Sequence, residues 1–215
     1  MTAPQAPPSR RRLRRGQGAL LREEVLDAVD RLLTAGATEV TLSMRAVAAE
    51  AGVSPTAIYL HFADKGDLLL AVCLRHFADL EDAMQQAAEG APTPLEALKA
   101  CGRAYVHFGL EHPEPYRVMF ISPPDSTPAS PADVTDLVAF SYVIDSVERA
   151  MLTGAVADGE PLAVAFLLWT SVHGIVSLRL SEPDFPWPPL DAQLEHMLDV
   201  VGRGLSPTTP PASSP

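Results

Sequence analysis

The residues of this chain best equipped to act on another molecule lie between Ser43 and Phe62, in the run SMRAVAAEAGVSPTAIYLHF. Hydroxyls, a phenol, an imidazole and a guanidinium follow one another at helical spacing, the set that hydrogen-bonds base edges and phosphate oxygens. The elements that must present them can be read from the same residues. Ser43 is placed to accept a backbone N–H as a helix N-cap. Met44, Val47, Ala48 and Ala51 then fall at i, i+3, i+4 and i+7, one apolar face of a helix. Gly52 supplies the positive φ that closes a helix C-terminus, and Val53 returns the chain toward a core. Ser54 is a second N-cap and Pro55 sits at the first helical position. Ala57, Ile58 and Leu60 are expected on the inner side of this second helix, with Thr56, Tyr59 and His61 on the outer side. A helix-turn-helix has this layout, its second helix entering the major groove. A plain helical hairpin shares the periodicity and would bind no DNA.

The contacts follow from position. Ser43 and Arg45, opening the first motif helix, should reach phosphate, and Arg45 also a base. Ser54, Pro55, Thr56 and Ala57 occupy the cap and first turn of the reading helix. Thr56 can hydrogen-bond a base there, while Pro55 and Ala57 offer only apolar contact, for example to a thymine methyl. Tyr59, His61 and Lys65 should bond phosphates and fix register. With so few long polar side chains on this helix, much of the specificity is expected from DNA shape and half-site spacing.

The run AVAAEAGVSPTAIYLHFADKGDLL resembles the DNA-binding domain of the TetR family of bacterial transcriptional regulators, over about residues 20 to 80. Gly66 departs from the pattern where the family more often has an acidic residue, which weakens the start of the next helix slightly. The resemblance implies an all-α fold. An N-terminal three-helix helix-turn-helix domain would be joined to a larger C-terminal helical domain for ligand binding and dimerisation. The expected divisions are a flexible basic arm (1–18), a DNA-binding domain (19–80, motif 43–62), a regulatory and dimerisation domain (81–205) and a disordered tail (206–215).

Charge is distributed to suit. The formal net charge is −11, yet residues 1–67 hold nine Lys or Arg against eight Asp or Glu. The acidic excess therefore lies beyond the motif and can face away from DNA. Arg10, Arg11, Arg12, Arg14 and Arg15 form a basic cluster with no apolar run behind it, so a secretory signal is not expected. An arm tracking the DNA backbone or minor groove fits its position, a solubilising tail being the alternative. Cys73 and Cys101 set no disulfide framework; both fall on apolar helix faces, in keeping with a reducing cytoplasm.

The remaining chain reads as helix. Helices are expected over about 19–35, 64–89, 93–111, 115–121, 132–152, 162–180 and 190–205. Breaks fall at the Pro/Ser stretch 122–131 and at 183–189. In the first of these helices Leu21, Val25, Ala28, Val29 and Leu32 make the inner line. The stretch from Pro161 to Leu178 has no charge and approaches the length of a membrane span. Thr170, Ser171, His173 and Ser177 interrupt it and no positive flank orients it, so no membrane role is expected. A helix apolar on all sides also suits packing in the domain on one face and against a partner on the other. TetR-like proteins dimerise through a four-helix bundle of their last two long helices, which implies a homodimer through 162–180 and 190–205. The run WTSVHG at 169–174 resembles the tryptophan-histidine-glycine motif of one TetR C-terminal subgroup.

The resemblance further implies an unidentified small, largely apolar effector among the middle helices, whose binding releases a palindromic double-stranded DNA operator. Tyr105, Phe108, Met119, Phe140, Tyr142, Trp169 and His173 are the candidates for its lining, with ordinary core packing as the alternative for each. No cofactor or metal is expected. Glu111–His112 and Glu195–His196 pair a carboxylate with an imidazole, but adjacent helical residues point apart. No HExxH, phosphate loop or Gly-x-Ser-x-Gly occurs. An enzyme is therefore not expected; a helical protein-interaction module is the other alternative.

Overall fold

The computed structural model describes residues 17–121 and 138–207, and every element in them is a helix. The arginine cluster, the stretch 122–131, the start of the helix expected from Ala132 and the tail beyond 207 lie outside the described residues. The chain divides into two compact units, Met1–Val72 and Cys73–Pro215.

The first unit is built on α1 (Gln17–Thr34), α2 (Met44–Glu50), α3 (Pro55–Ile58) and the opening turns of α4 (Lys65–Ala88). Helix α1 buries Val25, Leu26, Ala28, Val29 and Leu33. Leu33, rather than the expected Leu32, continues the stripe, because the 3.6-residue repeat carries the line from Val29 to Leu33. The side chain of Arg31 bonds Glu50 at 2.6 Å and ties α1 to the end of α2. Both motif helices begin as their sequence requires. Ser43 Oγ accepts from the Ala46 N–H and Ser54 Oγ from the Ala57 N–H, each at 3.2 Å. Such caps contribute about 1 kcal/mol each. Gly52 has φ +68°, and the Val53 N–H returns to the Ala48 carbonyl at 2.9 Å. The Gly52 N–H returns to Ala49, completing the paired closure of a Schellman turn.

Leu60 is a correction. It is 72 % exposed, whereas Ile58 and Phe62 are buried. After Ile58 the backbone tightens, with Leu60 N–H to the Ala57 carbonyl and His61 N–H to the Ile58 carbonyl, both spanning three residues. That tighter winding turns position 60 outward and hands its inner place to Phe62. Helix α4 then starts on a reciprocal cap: Asp64 accepts from the Asp67 N–H and Asp67 from the Ala63 N–H, each at 2.9 Å.

The second unit holds the rest of α4, then α5 (Pro94–Glu111), α6 (Pro113–Tyr116), a π-helical turn (Arg117–Ile121), α7 (Val138–Leu152), α8 (Pro161–Ser181) and α9 (Leu190–Leu205). Helix α5 is central and packs against α7, α8 and α9. Two ionic clasps join it to α9: Lys99 to Asp199 at 2.8 Å, and a forked Arg103–Glu195 pair at 2.5 and 2.7 Å. Helix α8 is long and apolar enough to cross a membrane by length and composition alone. It buries only Ala165, Val172, Ile175 and Val176, leaving Leu167 and Leu178 about half exposed.

Helices α5 and α8 come together at Gly109. A Cβ there would lie 2.6 Å from Val176 Cγ1 and 2.9 Å from Tyr116 Cδ2. Both neighbours are almost fully buried and have no room to retreat. Gly109→Ala gains helix propensity of up to about 1 kcal/mol, but overpacking costs roughly 1–3 kcal/mol. We expect a net loss of about 1–2 kcal/mol, read as a thermal midpoint lowered by several degrees. An unchanged or raised midpoint would contradict this packing.

Candidate nucleic-acid interface and ligand cavity

The first unit places the predicted contact residues along one continuous stretch. Arg45, Ser54, Pro55, Thr56 and Tyr59 are exposed, Ala57 and His61 half-buried. The hydroxyls of Ser43 and Ser54 are already engaged as caps. Either can still meet a phosphate through its remaining lone pair and proton. Lys65 has a second duty that sequence did not reveal: its ammonium donates to the Glu39 carbonyl at 2.8 Å, pinning the α1–α2 loop to the start of α4. Two of its three protons remain for an anion.

The second unit contains a partly enclosed apolar cavity. Helix α4 contributes Phe77, Leu80 and Met84, α5 contributes Leu98, Cys101, Gly102 and Tyr105, and the π-helical turn contributes Phe120. The other walls are Ala139, Phe140, Val143 and Ser146 of α7, Leu168, Trp169 and Val172 of α8, and Met197 and Leu198 of α9. Of the seven residues named from sequence, Tyr105, Phe140 and Trp169 line this space. Phe108, Met119, Tyr142 and His173 do not. Phe108 packs at a tilt against His112 with ring centroids 5.0 Å apart, and Met119 is buried in the core. Tyr142 lies beside Arg149, whose guanidinium sits 5.9 Å from its ring centroid. The lining residues that sequence missed carry no distinguishing signal. They repeat the same apolar spacing as filled core, and only atomic packing separates a void from a contact.

His173 instead anchors a buried polar knot. Its Nδ1 lies 2.6 Å from the Tyr116 hydroxyl and 3.0 Å from that of Tyr105. Trp169 donates its indole N–H to the Tyr105 oxygen at 3.3 Å. With the imidazole neutral and its proton on Nε2, the single Nδ1 lone pair takes the Tyr116 O–H, and the Tyr105 O–H can turn to the Tyr116 oxygen at 3.4 Å. Burial lowers the His173 pKa and raises those of both phenols, so all three stay uncharged near neutrality. Tyr116 escaped the sequence reading because it stands in a short proline-flanked turn, not on a long apolar stripe.

Of the carboxylate–imidazole neighbours, Glu195 is committed to another partner. Arg103 holds Glu195 as a carboxylate with a lowered pKa, engaged in its ionic clasp. Among the described residues no group of three or more His, Cys, Asp or Glu could hold a metal. Both cysteines are buried and neither forms a disulfide.

The knot makes stability depend on pH. The folded pKa of His173 lies below its ordinary value of 6.5, so under that pH the unfolded chain takes up a proton that the folded one resists. Stability should therefore fall as pH drops from about 6.5 toward the folded value. Thermal midpoints of wild type and His173→Gln at pH 7.5 and 5.5 read this out. The wild type should lose more than the variant, and equal losses would contradict it.

Two family models match the chain: "Bacterial regulatory proteins, tetR family" over residues 26–72, and "Tetracyclin repressor-like, C-terminal domain" over residues 98–201. An uncharacterized HTH-type transcriptional regulator of Mycobacterium tuberculosis is 30 % identical over 143 residues, 66 % of this chain. That match spans 61 % of the relative's own length. A solved protein of unknown function from Rhodococcus sp. RHA1 superposes with a TM-score of 0.74 at 27 % identity, covering 87 % of this chain and 96 % of that one. The transcriptional regulator FadR from Bacillus subtilis, solved in complex with stearoyl-CoA, shares the fold with a TM-score of 0.71 at 14 % identity, over 85 % and 98 % of the two chains. The capped motif in the first unit and the helical bundle of the second thus match the two halves of one family, and the chain belongs to the TetR family of bacterial regulatory proteins.

Proposed function

We propose that this protein is a ligand-responsive transcriptional repressor acting in the cytoplasm. It binds a palindromic DNA operator as a homodimer and releases it when a small apolar molecule enters the second unit's cavity. The observation that carries the DNA-binding reading is the motif itself. Two capped helices meet at a Schellman turn, and the second exposes Pro55, Thr56 and Tyr59. Ser43, Arg45, Tyr59, His61 and Lys65 serve phosphates; Ser54, Pro55, Thr56 and Ala57 face base edges.

The dimer reading rests on α8. Its apolar surface is largely uncovered, and its hydroxyls bond back to their own helix: Thr170 to Phe166, Ser171 to Leu167 and Ser177 to His173, at 2.7–2.8 Å. A helix face with no unsatisfied polar atom is suited to packing on a second copy, with α9 alongside. The cavity supports the effector reading, because its walls are almost wholly apolar. Helix α4 runs unbroken from Lys65 to Ala88, and Phe77, Leu80 and Met84 on it line the cavity. A ligand that favours one setting of α4 would shift the population of DNA-competent dimers.

Selection of bound duplexes from a random pool tests this function. Wild-type protein should enrich a palindrome and bind it as two protomers per duplex. The double variant Thr56→Ala, Tyr59→Ala should weaken that binding by about tenfold or more. No enrichment by folded protein at low salt would refute the DNA-binding reading, and one protomer per asymmetric site would refute the dimer.

A further inference from the structure

We infer that the effector is uncharged over everything it buries, so that the cavity selects neutral apolar molecules and rejects carboxylates and ammonium ions of the same hydrocarbon body. This deepens the proposed function and rests on the cavity being the effector site.

Among the described residues, none lining the cavity is acidic, basic or a histidine. An ion taken from water into such a space would lose its hydration with no countercharge to replace it. Neutral polar groups could soften that loss only if they were free, and here each is engaged. The Cys101 thiol donates to the Met84 carbonyl at 3.6 Å. The Ser146 hydroxyl donates to the Tyr142 carbonyl at 2.8 Å and accepts from Arg149 at 2.8 Å. The Trp169 N–H is given to Tyr105, whose hydroxyl belongs to the His173 knot. Arg149 is the nearest cation that these contacts reveal. It stands behind Ser146, bonded to the hydroxyl, and is not a wall residue. The other lining side chains present hydrocarbon, aromatic rings or thioether sulfur.

A carboxylate in this cavity would therefore have to break a bond already made inside the protein to gain a donor. An ammonium would find at most the remaining lone pairs of the Ser146 and Tyr105 hydroxyls, with no carboxylate among the described wall residues to balance its charge. A neutral chain or ring breaks nothing, and gains the dispersion contacts that an unfilled void lacks.

The test compares three ligands of one hydrocarbon length on the full-length protein: 1-decanol, decanoate and decylammonium. Calorimetric titration at pH 7.5 reads affinity, with each probe below its aggregation threshold. Decanol should bind at least about tenfold more tightly than either ion. Binding should be lost in Ala139→Trp and in Val143→Phe, which fill the cavity from two positions of α7; circular dichroism checks that each variant is folded. Decanoate or decylammonium binding as tightly as decanol would overturn the selectivity and leave the cavity as effector site intact. No binding of any probe to folded wild type would overturn the effector reading itself. Undiminished decanol binding by the folded filling variants would place the ligand elsewhere and overturn the inference too.

Discussion

One imidazole nitrogen fixes the second unit. The Nδ1 of His173 lies within hydrogen-bond distance of two phenol oxygens, where α5, α6 and α8 converge. Gly109 permits that convergence, since a methyl group at its position would strike both Val176 and the Tyr116 ring. The knot is also an aromatic cluster. Phe120 lies within 6.3 Å, centroid to centroid, of Tyr105, Tyr116, Trp169 and His173. Polar closure on one side and aromatic packing on the other hold Tyr105 and Trp169 as rigid wall. The void beside them persists because its lining cannot collapse.

The two units have different kinds of rigidity. In the first, short helices are set by local devices: the caps of Ser43 and Ser54, the Gly52 turn and the Arg31–Glu50 tie. The buried core of Val25, Leu26, Val47, Ile58, Phe62 and Leu69 then holds them together. In the second, long helices are fixed by contacts remote in sequence, such as Arg103 with Glu195 and Tyr105 with His173. A reading surface benefits from local stiffness, because its side chains must arrive at the duplex preorganised. A sensing domain needs a void that a ligand can fill and a packing arrangement that filling can bias.

This difference decides what the sequence could reveal. Caps and turns are dictated by residues a few positions apart, so Ser43, Gly52, Ser54, Asp64 and Thr93 were legible as helix boundaries before any coordinates. The ends of α9 were equally plain from Pro189 and the Leu190–Leu205 stripe. Legibility failed where geometry departs from the ideal period. Leu60 points outward because the chain tightens after Ile58, and the turn carrying Phe120, just after Tyr116, winds as a π-helix. It failed again where function depends on empty space. Phe77, Leu80, Leu98 and Leu198 follow the pattern of ordinary core, and no pattern of residue types announces a cavity. Trp169 and His173 were singled out by resemblance to a short family motif; that one lines the cavity and the other closes the knot beside it came only from the coordinates.

Filling this cavity should release DNA, and one titration reads both events together. Trp187→Phe leaves Trp169, on the cavity wall, as the sole indole reporting occupancy. The variant is bound to a fluorescently labelled duplex carrying its selected site, and a neutral apolar ligand is added while indole emission and duplex anisotropy are followed together. Trp169 emission should change and anisotropy should fall over the same concentration range. A saturating change at Trp169 with the duplex still fully bound would contradict the claim.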